Sequence, residues 1–155
     1  MALSVACSSP AEDSAAPPGA AVLPIQPGQL GGFDHLVAIG RVWLGSQPTA
    51  EGLVNVRDAG ATLVINARPS EEMSFPEESV VRGLGMEYRS LPFTAKTLDA
   101  RTIDNFLDVM REHEGRVLLH CSSGNRVAAL WAVWEIREGG LSVDEAIARA
   151  RKYLS

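Results

Sequence analysis

From Val37 to Leu44 apolar residues alternate around Gly40, a period of two that predicts one or two short strands. Gln47-Pro48-Thr49 ends that stretch, and Thr49 is placed to cap a helix over 50–59 that Gly60 stops. Ala61–Asn66 is an unbroken β-branched apolar run, the length of a buried parallel strand. A Pro- and Glu-rich connection with Arg68, Glu71 and Glu72 follows, then a short helix over Pro76–Arg82 that Gly83 and Gly85 close. Met86–Leu91 alternates as an edge strand does, and Pro92 ends it. Asp99 is placed to cap a helix whose Ile103, Phe106, Leu107 and Met110 recur at i, i+3, i+4 and i+7. Val117–His120 reads as another buried strand, followed without a break by Cys121–Arg126 and an apolar helix over Val127–Arg137. Ser142 and Glu145 form a capping box for a last helix carrying Val143, Ala146, Ile147 and Ala150. Strands alternating with helices predict an α/β domain with a small, parallel-rich central sheet flanked by helices.

The composition divides the chain. Of the first 32 residues, 20 are Ala, Pro, Ser or Gly, and five of the nine prolines fall among them. Such a segment buries too little apolar surface to repay the entropy of ordering, so residues 8–31 read as a flexible tether. This divides the chain into a tether region, 1–31, and an α/β domain, 32–155, close to the commonest domain size. Met1–Cys7, a short apolar run ending in small residues and a cysteine, resembles the end of a bacterial lipoprotein signal, although a basic n-region is missing. That resemblance implies lipid on Cys7 and a domain held off the membrane in the cell envelope; the alternative is a cytosolic tail with an incidental cysteine. Membrane association is expected only through that lipid.

A net charge of −5 leaves no electrostatic footprint for nucleic acid. Two cysteines, Cys7 and Cys121, build no disulfide framework, and no Cys/His/carboxylate spacing suggests a metal site, so no cofactor is expected. The chain reads as a monomer.

The strand–loop–helix around Cys121 carries the chemistry. A buried strand delivers Cys121 to the carboxyl edge of a sheet, where open α/β folds bind ligands. Ser122, Ser123, Gly124 and Asn125 are small enough for backbone N–H groups to curl around an anion, and the helix that begins there adds the positive end of its dipole. Both effects favour the thiolate. Arg126 can grip two oxygens of a bound oxyanion with its planar fork. His120 either orients the loop or is simply packed at a strand end. Arg68, with Glu71 and Glu72 close by, either lines the cleft or, the favoured reading, forms a surface salt bridge; Trp131 and Trp134 read as core, and Arg149 as charge at a helix C-terminus.

The segment His120-Cys121-Ser122-Ser123-Gly124-Asn125-Arg126 resembles the phosphate-binding loop of dual-specificity protein phosphatases. With Gly45-Ser46-Gln47-Pro48-Thr49, Ala59-Gly60, Val64-Ile65-Asn66-Ala67-Arg68 and Glu87-Tyr88-Arg89-Ser90-Leu91-Pro92 in that order, the chain more closely resembles the beta-lactamase hydrolase-like phosphatase-like domain. The resemblance covers about residues 36–154. It implies a cysteine phosphatase-like fold, Cys121 as nucleophile, Arg126 as phosphate clamp, and phosphorylated substrates, phosphoproteins or other small oxyanions as partners.

Three departures keep other readings open. Four residues separate Cys121 from Arg126, where these phosphatases usually have five; four is the spacing of rhodanese-like sulfurtransferases, whose cysteine carries a persulfide. Val127 stands where the phosphatases commonly have Ser or Thr, whose hydroxyl helps the thiolate leave. After Leu91-Pro92 the family pattern suggests an acidic proton donor, and Asp99 is the nearest candidate, with a helix cap as its other role. The readings are therefore a phosphatase-like hydrolase, a sulfurtransferase or persulfide carrier, and a catalytically weak anion- or phosphoprotein-binding module.

Overall fold

The computed structural model describes residues 22–153; Cys7 and the segment around it lie outside the described residues. In chain order the elements are β1 (Gln26–Pro27), β2 (Leu36–Ile39), β3 (Val42–Gly45), α1 (Ala50–Asp58), β4 (Ala61–Asn66), a 3-10 turn (Ser70–Glu72), α2 (Glu77–Gly83), β5 (Glu87–Ser90), α3 (Ala100–Glu112), β6 (Arg116–His120), α4 (Asn125–Arg137) and α5 (Val143–Tyr153). The six strands form one sheet in the order β1-β2-β3-β6-β4-β5. The β1/β2 and β2/β3 pairs are antiparallel; β3, β6, β4 and β5 run parallel. The expected α/β class and parallel-rich sheet are thus observed, with the stretch around Gly40 resolved into the β2–β3 hairpin.

Sequence periodicity explains why the central strands are covered on both sides. Along β6, Val117 and Leu119 point into a core with Phe106, Leu107 and Met110 of α3 and Leu130 and Trp131 of α4. Leu118 points the other way, to Leu53 and Val56 of α1 and Val81 of α2. A register shift between Ala61 and Leu63 puts Thr62 outside while Leu63–Asn66 stay buried. All three capping expectations hold: Thr49 accepts from Gly52 N at 3.1 Å, Asp99 accepts from Thr102 N at 2.8 Å, and Ser142 and Glu145 exchange bonds at 3.2 and 2.8 Å.

Two regions differ from expectation. Residues 22–31, read as the end of the tether, lie against the domain: β1 pairs with β2, Gly28 N donates to Leu36 O at 2.8 Å, and Ile25 packs on the core. A few apolar side chains and one strand pairing anchor a segment whose composition suggested none. Arg149, read as a charge for the helix dipole, instead bridges α5 to the buried Glu135 of α4 at 2.8 Å and to Leu23 O at 2.7 Å.

The topology positions the site. Gly45, His120 and Asn66 stand in register at the carboxyl ends of β3, β6 and β4, with Ser90 of β5 alongside Asn66. The chain leaves those three adjacent parallel strands as Ser46-Gln47, Cys121-Ser122 and Ala67-Arg68. Residues far apart in sequence therefore meet along one edge.

Candidate active site

Cys121 follows β6 directly and is fully buried, and its Sγ accepts a hydrogen bond from Gly124 N at 3.1 Å. Gly124 is the N-cap of α4, which begins at Asn125 rather than at Val127 as the sequence suggested. Its φ of 98° lies where side chains are strained. A Cβ there would meet nothing nearer than His35 Cδ2 at 3.5 Å, so glycine is required by backbone conformation and not by space. That conformation turns the Gly124 N–H onto the sulfur at the positive end of a 13-residue helix.

Arg126 is the second residue of α4, and four of its five N–H donors have protein partners. Nη1 donates to Glu72 Oε1 at 3.0 Å and to Phe93 O at 3.3 Å; Nη2 donates to Glu72 Oε2 at 2.5 Å and to Ser122 Oγ at 2.9 Å. Ser122 Oγ also donates to Glu72 Oε2 at 2.8 Å. Glu72, carried by the 3-10 turn after β4, thus holds both the guanidinium and the first hydroxyl of the loop. Arg126 and Ser122 hold its carboxyl down at about 2, and Glu72 in turn raises the Arg126 pKa. A carboxyl in that condition carries no proton near neutral pH. It is an orienting anion, not a proton donor.

Beneath the loop, His120 Nε2 lies 2.6 Å from Glu77 Oε1, and both side chains are completely buried. Glu77 Oε2 accepts from Gln47 Nε2 at 2.6 Å. Arg68, its side chain only 11% exposed, donates through Nη1 to Gln47 Oε1 and through Nη2 to the backbone carbonyl of Glu72. This network runs from below the cysteine to the turn that carries Glu72.

The expected site residues fall into three groups. Cys121, Ser122, Gly124 and Arg126 come together as one cluster, with Ser123 and Asn125 exposed on the same loop and helix start. His120, read as orienting the loop or simply packed at a strand end, lies under the loop, its ring nitrogens on Glu77 and on Cys121 O at 3.4 Å. Asp99 caps α3: its carboxylate accepts from Thr102 N and Oγ1, each at 2.8 Å, and these bonds lower its pKa. The carboxylate that reaches the loop is that of Glu72. Arg68 does pair with Glu72, Nε to Oε2 at 3.5 Å, but as a largely buried strut and not at the surface, while Glu77 and Gln47 carry no signal in the sequence that marks them as site residues. One pattern does mark Glu77 as buried: it stands four residues before Val81, in phase with the buried face of α2.

The family model of the beta-lactamase hydrolase-like protein, phosphatase-like domain, matches residues 42–137. A beta-lactamase hydrolase-like protein of Xylella fastidiosa (strain Temecula1) is 31% identical over 110 residues, 68% of this chain and 26% of the relative. The chain therefore spans about a quarter of that relative's length. Among solved structures, TpbA of P. aeruginosa in complex with pTyr superposes with a TM-score of 0.72 at 17% identity, covering 88% of this chain and 82% of that one. Tk-PTP in a mutant form superposes with a TM-score of 0.69 at 22% identity, covering 77% and 82%. At these identities the likeness is one of fold, that of the cysteine phosphatases.

Proposed function

The chain belongs to the beta-lactamase hydrolase-like protein, phosphatase-like domain family, and from that premise we propose that it is a cysteine-dependent phosphatase of aryl phosphate monoesters. One observation carries the reading: Sγ of Cys121 accepts the Gly124 N–H at the N-terminus of α4, with Arg126 held at the mouth of the same loop. In the first step the Cys121 thiolate attacks phosphorus; an S–P bond forms and the P–O ester bond breaks, its electron pair leaving on the ester oxygen. The loop amides and Arg126 bear the charge of the phosphoryl oxygens. For a two-pronged grip, the entering oxyanion replaces Ser122 Oγ or the Glu72 carboxylate on Nη2. In the second step water attacks phosphorus, the S–P bond breaks, and phosphate and the thiolate are released.

Substrate class follows from protons. Glu72, at about 2, holds none to donate, and the Asp99 carboxylate accepts from its own helix. Without a general acid a reaction typically loses 10²–10⁴-fold in rate, and the loss is smallest when the leaving oxygen is already a stable anion, as in an aryl phosphate. Val127, buried in the core where a hydroxyl would help the thiolate leave, makes the second step the slower one.

The spacing of four residues between Cys121 and Arg126 favours a second reading, a sulfurtransferase carrying sulfane sulfur on Cys121. A paired assay separates the two: native chain and Cys121→Ser, each tested on an aryl phosphate and for thiosulfate-to-cyanide sulfur transfer. Cysteine-dependent phosphate release supports the phosphatase. Cysteine-dependent sulfur transfer without phosphate release overturns it. Phosphate binding with neither activity points to an anion-binding module.

A further inference from the structure

A carboxylate and an imidazole, both completely buried, lie directly beneath the nucleophile's loop. Taking such a pair out of water carries a desolvation penalty that an apolar pair of similar volume avoids, so its position invites a reason. The bonds around it supply one. Every peptide in the described chain is trans, and in a trans unit the C=O and the following N–H point in opposite directions. The carbonyl of Cys121 is turned toward His120 Nδ1 at 3.4 Å, so the N–H of Ser122, in the same peptide unit, points away from His120. The carbonyl of Ser122 accepts from Gln47 N at 3.0 Å, so the N–H of Ser123 points away from Gln47. Two successive peptide units are thus tied by their carbonyls on one side and present their N–H groups on the other.

Both ties lead to one side chain. Glu77 Oε1 meets His120 Nε2 at 2.6 Å, and Glu77 Oε2 accepts from Gln47 Nε2 at 2.6 Å. Each oxygen of one carboxylate therefore holds the residue that fixes one carbonyl.

We propose, on the phosphatase reading above, that Glu77 is a positioning residue: through His120 and Gln47 it sets the two peptide units after Cys121 so that their N–H groups face the substrate's oxyanion. Glu77 touches neither substrate nor sulfur. Its effect is on how well the loop amides are aimed, which governs both the binding of an anion and the readiness of Cys121 as a thiolate.

The test compares the native chain with Glu77→Gln and with the double variant Glu77→Met, His120→Phe. The double variant replaces both buried partners by apolar groups of similar size, which preserves stability where single loss of a partner does not. Three readouts are taken: thermal melting, the rate of Cys121 alkylation by iodoacetamide at neutral pH, and the ¹H–¹⁵N shifts of Ser122, Ser123 and Gly124 during titration with inorganic phosphate. The native amides should move downfield together as phosphate binds. In the folded variants alkylation should slow about tenfold, and phosphate should bind about tenfold more weakly with the concerted amide shifts lost, a change of ~1.4 kcal/mol. Variants that melt as the native chain does, alkylate at the native rate and keep the amide response would overturn the proposal. If the native chain releases no phosphate, the hydrolase reading alone fails. The alkylation comparison needs no turnover, and it still decides the role of Glu77.

Discussion

Glu72→Gln removes one charge from the cluster that holds Arg126 while keeping the shape of the side chain. In the native chain the Glu72 carboxyl drops from its ordinary 4.5 to about 2 because Arg126 and Ser122 donate to it. Converted directly at ~1.4 kcal/mol per unit, that drop would be worth roughly 3 kcal/mol. The Glu72 side chain is 35% exposed, however, and water screens such a pair to about 1 kcal/mol. Coulomb's law agrees: opposite charges some ~4 Å apart attract by about 1 kcal/mol in water and about 4 kcal/mol at a protein-surface dielectric. The sign follows from the depressed folded value. The stabilisation is fully present above the unfolded value of 4.5 and is lost as pH falls from there toward 2. Urea unfolding at pH 7, 4 and 3 reads it directly. Glu72→Gln should be less stable than the native chain by about 1 kcal/mol at pH 7, with the gap narrower at pH 4 and narrower still at pH 3. Turnover of an aryl phosphate should also fall, by about tenfold in kcat, because Arg126 is no longer held before substrate arrives. Equal stability at pH 7, or a gap indifferent to acid, would refute the pairing. A raised kcat would show that the carboxylate competes with substrate instead of orienting its clamp.

Asp99→Ala removes the cap of α3 and should lower Tm by a few degrees while leaving kcat for an aryl phosphate unchanged, since the carboxylate serves Thr102. A large loss of kcat with a flattened acid limb in the pH–rate profile would restore Asp99 as the proton donor. Gly124→Ala meets no steric obstacle but places a side chain at a φ of 98°. It should cost about 1–2 kcal/mol in urea unfolding and slow alkylation of Cys121 as the N–H turns off the sulfur. Native stability and native alkylation together would contradict the backbone argument.

What could be read in the sequence was whatever depends on local period or on neighbours in the chain. The strand into Cys121, the helix out of it, the Ser142–Glu145 box and the Thr49 cap all lie within a few residues of one another. The site's second carboxylate layer was hidden because it joins residues 50 and 43 positions apart, Ser122 with Glu72 and His120 with Glu77. Glu72 and Glu77 sit in a Pro/Glu-rich stretch that reads as surface, and only the parallel order of β3, β6 and β4 brings their loops to one edge. Glu77 also occupies a first helical turn, where an acid is expected for the dipole, although it is 1% exposed. Residues 22–31 misled in the other direction: Pro and Gly interrupt the apolar residues, leaving around Ile25 too short a pattern to announce a strand.

The central claim is that Cys121 Sγ bonds to phosphorus during turnover. Rapid quenching of the native chain with an aryl phosphate, followed by mass spectrometry of the peptide bearing Cys121, tests it most directly. A burst of the aryl alcohol equal to the enzyme present should coincide with a phosphoryl adduct on Cys121, accumulating because Val127 offers the departing thiolate no hydroxyl. Both should vanish in Cys121→Ser. Phosphate release that persists in Cys121→Ser, or a Cys121 that takes up sulfur from thiosulfate and never phosphorus, would contradict the account.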